Sequence, residues 1–134
     1  MPLKKSEDLP IRTPDDIVRV RQLVRSWAVG AGFRLVEQTK IVTAASEIAR
    51  NTVDYGGGGS VRLELLEENG RQGLRLVFTD EGPGIPDLDL AMTDGWTTGN
   101  GLGLGLSGTK RLAHQFDLWS EVGKGTRVTA TWWR

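Results

Sequence analysis

The spacing of hydrophobic residues predicts two long helices in the first part of the chain. The run Thr13-Pro14-Asp15-Asp16 offers an N-capping hydroxyl, a proline at the first helical position and first-turn acids, which together predict a helix start. A second helix is predicted over residues 35 to about 55, and the glycines at 56–59 end it. The predicted buried stripes are Ile17, Val20, Val24, Trp27 and Ala31 in the first helix, and Ile41, Ala45, Ile48 and Thr52 in the second.

Alternating polar and apolar residues predict two hairpins. Residues 60–66 and 73–79 form the first, joined by the polar turn EENGRQ, and Arg62 and Glu64 should lie on its wet face. Residues 117–121 and 126–132 form the second, turned at 123–125. The segment SEDLPIR near the N-terminus could add one more strand.

Helices and loops fill the rest of the chain. The stretch 93–100 is polar loop, a short helix is predicted over 87–92, and a third main helix over 104–116. This order of elements predicts an α+β two-layer sandwich, with a mixed, mostly antiparallel sheet and helices on one face.

Composition narrows the possible functions. The 134 residues fit a single domain over 1–134, and 17 basic residues balance 17 acidic ones, so no global field attracts nucleic acid or an anionic membrane. The absence of cysteine excludes disulfides and thiol nucleophiles, and the single histidine, His114, argues against a histidine metal site. No segment reads as a signal peptide or membrane span, so we expect a cytoplasmic protein.

A glycine-rich segment, GNGLGLGLSG at 99–108, contains the letters of a dinucleotide-binding fingerprint, starting at Gly103. That fingerprint requires a preceding strand within a parallel unit, and polar loop precedes it here, so we reject the dinucleotide interpretation. A flexible linker does not need apolar side chains, so the presence of Leu102, Leu104 and Leu106 argues against a linker. Small residues before a helix start instead favour phosphate binding.

Two further motifs carry polar chemistry. Glu47 and Asn51 are four residues apart on one helical face, and a carboxylate beside a carboxamide suits Mg²⁺ and water. Asp80 ends a predicted strand before Gly-Pro-Gly, where its carboxyl could accept a hydrogen bond from an exocyclic amine such as that of adenine. Taken alone, each motif is better explained as ordinary solvated polar residues.

The three motifs together resemble the GHKL ATPase superfamily, which includes gyrase, Hsp90, histidine kinases and MutL. ExxxN (47–51), DxGPGI (80–85) and GLGLGL (101–106) are similar to its N, G1 and G2 boxes, and Gly125-Thr126 to its further glycine-threonine element. The chain is most similar to the small bacterial serine kinases of partner-switching systems, closest to the switch kinases of the stressosome. Thr52-Val53-Asp54-Tyr55-Gly56 departs from the pattern of anti-sigma factor kinases.

The resemblance implies a role for each matched residue. Asn51 would coordinate Mg²⁺, Glu47 would act as general base, and Asp80 would bind the adenine amino group with help from Thr126. The other implied nucleotide-binding residues are Gly82, Gly84 and Ile85 of the second motif, and Gly101, Leu102, Gly103, Leu104 and Gly105 of the third. Residues 87–100 would form an ATP lid, and Arg50, Lys110 and Arg111 are candidates for neutralising phosphate charge.

The resemblance implies an ATP- and Mg²⁺-dependent protein serine/threonine kinase. Its substrate would be a STAS-domain antagonist or scaffold protein, and its later partner a PP2C-type phosphatase or a sigma factor, with no nucleic acid or membrane involved. A homodimer is compatible with this class. The alternative is a nucleotide-sensing anti-sigma factor or regulatory binding module with little catalysis, and a third interpretation is a nucleotide-binding domain detached from a two-component system.

Overall fold

A computed structural model describes residues 3–84 and 105–134 of the chain. These residues form five strands and three helices. The elements are β1 (Leu3–Ile11), α1 (Pro14–Gly30), α2 (Leu35–Asp54), β2 (Gly59–Glu68), β3 (Arg71–Asp80), α3 (Gly105–Leu112), β4 (Gln115–Glu121) and β5 (Gly125–Trp133).

The five described strands form one sheet in the order β1-β2-β3-β5-β4, and all neighbouring pairs are antiparallel. The turn between β2 and β3 is Asn69-Gly70, with φ angles of 54° and 78°, as the tightest hairpin turns require. The edge strand β1 contains Pro10, which costs no ladder hydrogen bond at an edge. The predicted α+β class is confirmed.

The helices cover one face of this sheet and bury a single core. The predicted stripe of α2 is buried throughout, and Trp27 of α1 joins it. Trp132 is fully buried while the adjacent Trp133 is only half-buried, because successive strand residues point to opposite faces. No helix in the described ranges is both long and apolar enough to cross a bilayer.

Helix α1 begins at a well-satisfied carboxyl group. Asp16 accepts hydrogen bonds from the backbone N–H groups of Arg12 (2.8 Å) and Thr13 (3.2 Å), and its other oxygen pairs with Arg19 at 2.7 Å. The backbone N–H of Arg12, aided by the backbone N–H of Thr13 and by the guanidinium of Arg19, holds the pKa of Asp16 below its ordinary 3.8 despite burial. The predicted start of the helix after Thr13, with proline at its first position, is confirmed.

The third helix is shorter than predicted. The pattern predicted helix to Phe116, but α3 ends at Leu112 and β4 begins at Gln115. The backbone N–H of His114 donates to the carbonyl of Thr131 (3.0 Å), so pairing with β5 starts just after the helix ends. Phe116 is therefore an inward-facing strand residue, because the sheet edge overrides a weak local preference for helix.

The outer face of β2 is less exposed to solvent than predicted. Glu64 was expected to face water but is only 8% exposed. Arg75, its cross-strand partner on β3, forms an ion pair with it, and Leu66 on the same face is also buried. The alternating pattern identified the face of Glu64 correctly but not its partner across the ladder.

Candidate functional site

A small cavity lies where α2 and α3 meet the sheet, at the end of β3 and the start of β5. Its volume is about 20 Å³, which is enough for one water molecule. It is lined by Ile48, Asn51, Thr52 and Tyr55 of α2, by Phe78 and Asp80 of β3, by Leu106 of α3, and by Thr126 and Val128 of β5. We call it the Asp80 cavity.

The carboxyl group of Asp80 is held in place by the backbone. Its Oδ1 accepts a hydrogen bond from the Gly82 N–H at 2.9 Å, and the Thr126 N–H also donates to the carboxyl. Burial raises the pKa of Asp80 above 3.8, outweighing the opposing effect of both N–H donors. No cation in the described part of the chain lies within ion-pair distance, so Asp80 is a fixed acceptor with spare capacity.

Three glycines let the backbone close around Asp80. A side chain on Gly56 would overlap the Asp80 carboxyl group, and one on Gly125 would overlap the Asp80 carbonyl oxygen. A side chain on Gly82 would come within 2.5 Å of the Gly56 carbonyl oxygen. Gly125 also has a φ of 118°, which favours glycine. Glycine at these positions therefore sets the shape around the carboxyl.

The turn after β3 packs onto the β4–β5 turn. Gly84 has a φ of 79° and lies against the Glu121 carbonyl, and the Gly123 N–H donates to the Pro83 carbonyl at 2.9 Å. In the described structure Gly82 and Gly84 thus approach protein backbone. Their implied approach to a base and sugar stays a prediction.

Helix α2 carries the two polar residues of the first motif. Asn51 is half-buried and lines the Asp80 cavity, so the fold brings it together with Asp80 and Thr126. Glu47 is also half-buried and lies one turn earlier, outside the lining of the cavity. Asn51 and Glu47 therefore occupy one helical face, with Asn51 deeper in the site.

The third motif lies partly within the described residues. Gly105 begins α3, and Leu106 is buried against the Asp80 cavity, which agrees with the argument that this leucine does not belong to a flexible linker. Arg50 and Lys110 are exposed, as is Arg111. The remaining residues predicted here lie outside the described residues: Ile85, Gly101, Leu102, Gly103, Leu104 and the segments 87–92 and 87–100.

The donor set suits a magnesium ion carried by phosphate better than a protein metal cage. Among residues 3–84 and 105–134, no group of three or more histidine or acidic side chains could hold a metal. An amide oxygen such as that of Asn51 is a hard ligand that leaves room for phosphate oxygens and waters. The residues present therefore fit Mg²⁺ bound together with a nucleotide.

Sequence reasoning missed two contributors to this site. Gly56 was interpreted only as a helix terminator, yet it packs on the Asp80 carboxyl. Ser120 was not singled out, yet its Oγ lies 2.9 Å from Thr126 Oγ1. The turn at 123–125 sets the register that pairs Ser120 with Thr126, and this was the available signal.

Comparisons with known proteins agree with this architecture. The sequence profile of the histidine kinase-, DNA gyrase B- and HSP90-like ATPases matches residues 36–134. The serine/threonine-protein kinase RsbT of Bacillus subtilis is 46% identical over 123 residues, covering 92% of each chain. The anti-sigma F factor of Geobacillus stearothermophilus is 33% identical over 99 residues, covering 69% of this chain and 66% of that factor.

A solved structure shares the fold. The crystal structure of the RsbU and RsbW domains of a Mycobacterium tuberculosis protein aligns with a TM-score of 0.66 and 21% identity. It covers 98% of this chain, which corresponds to 33% of that longer chain. The profile match and the RsbT similarity show that the chain belongs to the histidine kinase-, DNA gyrase B- and HSP90-like ATPase family. The resemblance to GHKL proteins is confirmed.

Proposed function

We propose that this protein is an ATP-dependent serine/threonine kinase of a partner-switching module, acting as one domain over residues 1–134. The observation that carries the proposal is Asp80, a backbone-held carboxyl at a cavity wall that it shares with Asn51 and Thr126. The similarity to RsbT over 92% of both chains supports kinase chemistry rather than nucleotide binding alone.

In this proposal each polar residue of the site has a distinct task. Asp80 accepts a hydrogen bond from the exocyclic amine of adenine, and Thr126 shares a water molecule with it in a cavity of about 20 Å³. Asn51 supplies an oxygen ligand to Mg²⁺, which neutralises charge on the phosphates when bound. Gly105, at the start of α3, belongs to the phosphate-binding segment together with the predicted residues 101–104.

Glu47 is the proposed general base. It lies one helical turn before Asn51 and outside the lining of the Asp80 cavity. There it can accept the proton of a serine or threonine hydroxyl as the γ-phosphoryl group is transferred. The bond between the γ-phosphorus and the oxygen that bridges it to the β-phosphate breaks. ADP leaves with that oxygen, and the serine or threonine oxygen carries the phosphoryl group.

The proposed substrate is a STAS-domain antagonist or scaffold protein, and the proposed later partner is a PP2C-type phosphatase. Both proposals follow from the resemblance of the motifs to switch kinases, and the proposed cytoplasmic location follows from the expectation drawn from the sequence. The equal numbers of acidic and basic residues are compatible with recognition through shape and local contacts rather than through a global field.

Transfer of γ-³²P to purified STAS-domain candidates tests the kinase. Glu47→Ala is expected to lower the transfer rate about 100- to 10,000-fold, because general base catalysis contributes that much. ATP affinity, measured by calorimetry, should change little. Glu37→Ala is the matched control, since Glu37 is a half-buried acid on the same helix, far from the cavity.

The anti-sigma F similarity supports a second candidate, a nucleotide-sensing anti-sigma factor. Wild-type protein that binds ATP, transfers no phosphate to any STAS-domain candidate and binds a sigma factor in a nucleotide-dependent way would contradict the kinase and favour this module. Equal transfer rates for Glu47→Ala and wild type would remove Glu47 from the catalytic role.

A further inference from the structure

Three side chains form one row across the sheet at the Asp80 cavity. Asp80 of β3 is directly opposite Thr126 of β5, and Thr126 is directly opposite Ser120 of β4. The next row inward is Phe78, Val128 and Leu118, which belongs to the core beneath the helices. Because directly opposed residues share a face, Ser120 lies on the helix-covered face behind Thr126.

The hydrogen bonds of this row fix the direction of the Thr126 hydroxyl. Ser120 Oγ lies 2.9 Å from the Gly125 carbonyl oxygen and 2.9 Å from Thr126 Oγ1. A carbonyl can only accept, so Ser120 donates its single proton to Gly125. The contact between the two hydroxyls then uses the proton of Thr126.

Because its proton is donated to Ser120, Thr126 Oγ1 can only accept hydrogen bonds from a group in the cavity. Thr126 is 8% exposed and lines the cavity beside Asp80, so the two side chains present acceptors there. An amino group or a water molecule satisfies two acceptors. An oxo group placed opposite them would leave buried polar atoms unpaired, which is the strongest basis for discrimination in a closed site.

We infer that Ser120 is a positioning residue that holds Thr126 as a hydrogen-bond acceptor and so favours a 6-aminopurine nucleotide over a 6-oxopurine nucleotide. This inference rests on the proposed binding of ATP. Ser120 itself touches no ligand. Its effect is on the choice between bases and not on the strength of phosphate binding.

Calorimetric titration with ATP and inosine triphosphate tests this, because the two differ only in the group at C6 of the base and the adjoining ring proton. Wild type is expected to bind ATP more tightly. Ser120→Ala frees the Thr126 hydroxyl to rotate and donate to an oxo group, so the ATP preference should fall about threefold to tenfold. Ser120→Thr keeps a hydroxyl and should restore the preference.

The matched control is Ser26→Ala, an exposed serine of α1 that should leave both affinities unchanged. A second variant, Thr126→Val, should reduce the preference without any change at Ser120, and adding Ser120→Ala to it should have no further effect. This second variant keeps the test decisive if Ser120→Ala fails to fold.

The outcomes separate the two claims. A purely structural role for Ser120 would weaken ATP and inosine triphosphate equally, and an unchanged preference in a variant that still binds ATP overturns the inference alone. Wild-type protein that binds neither nucleotide overturns the proposed function, and this inference with it.

Discussion

Asp16 and Asp80 are two carboxyl groups with little solvent exposure whose pKa values are shifted in opposite directions. Each accepts hydrogen bonds from two backbone N–H groups. Asp16 also pairs with Arg19 at a helix start, and the Arg12 N–H is the main cause of its lowered pKa. Asp80 has no such cation among the described residues and faces a cavity, so burial raises its pKa.

The difference separates an acid whose charge is compensated locally from one that the proposed function uses to bind a ligand. The negative charge of Asp16 is compensated locally, which stabilises the start of α1. The carboxyl of Asp80 is held rigidly but incompletely compensated, at a cost to folding that a binding group can offset. These hydrogen bonds and ion pairs thus predict that Asp80, but not Asp16, can be replaced by a neutral side chain without lowering the free energy of unfolding.

Replacing each aspartate by asparagine should produce the largest difference between the two positions, in ATP affinity and in the free energy of unfolding. Asp80→Asn is expected to weaken ATP binding about 10- to 100-fold, because hydrogen bonds to charged groups contribute about 1.5–3 kcal/mol. Asp16→Asn should leave ATP affinity unchanged but lower the free energy of unfolding. Titration calorimetry and urea denaturation on both variants provide the two measurements.

The pair is informative because each variant is the control for the other. Unchanged ATP affinity in Asp80→Asn would remove Asp80 from base recognition. Equal loss of ATP affinity in Asp16→Asn would mean that the substitutions act through general destabilisation. A lower free energy of unfolding in Asp80→Asn would contradict the idea that this carboxyl is kept at a cost.

The glycines of the β4–β5 turn test the scaffold around Asp80. Gly125→Ala places a methyl group against the Asp80 carbonyl oxygen at a φ of 118°, whereas Gly123→Ala, at a φ of 82°, meets open space. The backbone conformation alone costs about 1–2 kcal/mol at Gly123 and at least as much at Gly125, whose φ lies farther from the left-handed helical region. Gly125→Ala should therefore lower the free energy of unfolding by about 1–2 kcal/mol more than Gly123→Ala.

Affinity measurements on the same two variants complete this test. Gly125→Ala should also weaken ATP binding, because it shifts the strand segments that hold Asp80 and Thr126, while Gly123→Ala should not. Equal free energies of unfolding for the two variants would show that the close approach at Gly125 relaxes without consequence.

The sequence predicted the elements of this site better than its contacts. Helix α2 follows from its apolar stripe, and Asn51 and Asp80 follow from ordered motifs that place polar groups at element ends. The packing of Gly56 on Asp80 and the pairing of Ser120 with Thr126 join residues far apart or across a turn. Such contacts depend on sheet register, which local periodicity leaves open.

Helix α3 and Glu64 illustrate the same limit. The predicted helix extended four residues beyond Leu112. No local pattern in residues 113–116 indicates that this segment pairs with β5. Glu64 was assigned to a wet face by alternation alone, and Arg75, which neutralises it, becomes its neighbour only once β2 and β3 are in register. Tertiary pairing decided both outcomes.

The smallest expected effect, and the sharpest comparison, lies in the pH dependence of stability. The raised pKa of Asp80 means that its destabilising effect is present above the folded-state pKa and fades as the pH falls to 3.8, the ordinary value. The lowered pKa of Asp16 means that its stabilising effect is present above 3.8 and is lost as the pH falls through the still lower folded-state value.

Urea denaturation of wild type, Asp80→Asn and Asp16→Asn across this range should separate the two acids. Relative to wild type, the Asp80→Asn difference starts as a gain near pH 7 and vanishes by 3.8, while the Asp16→Asn difference starts as a loss and shrinks only below 3.8. Differences that vanish in the same window would contradict the assignment of opposite pKa directions. Separate windows on either side of 3.8 would show that the charged form of Asp16 stabilises the fold while the charged form of Asp80 is kept at a cost.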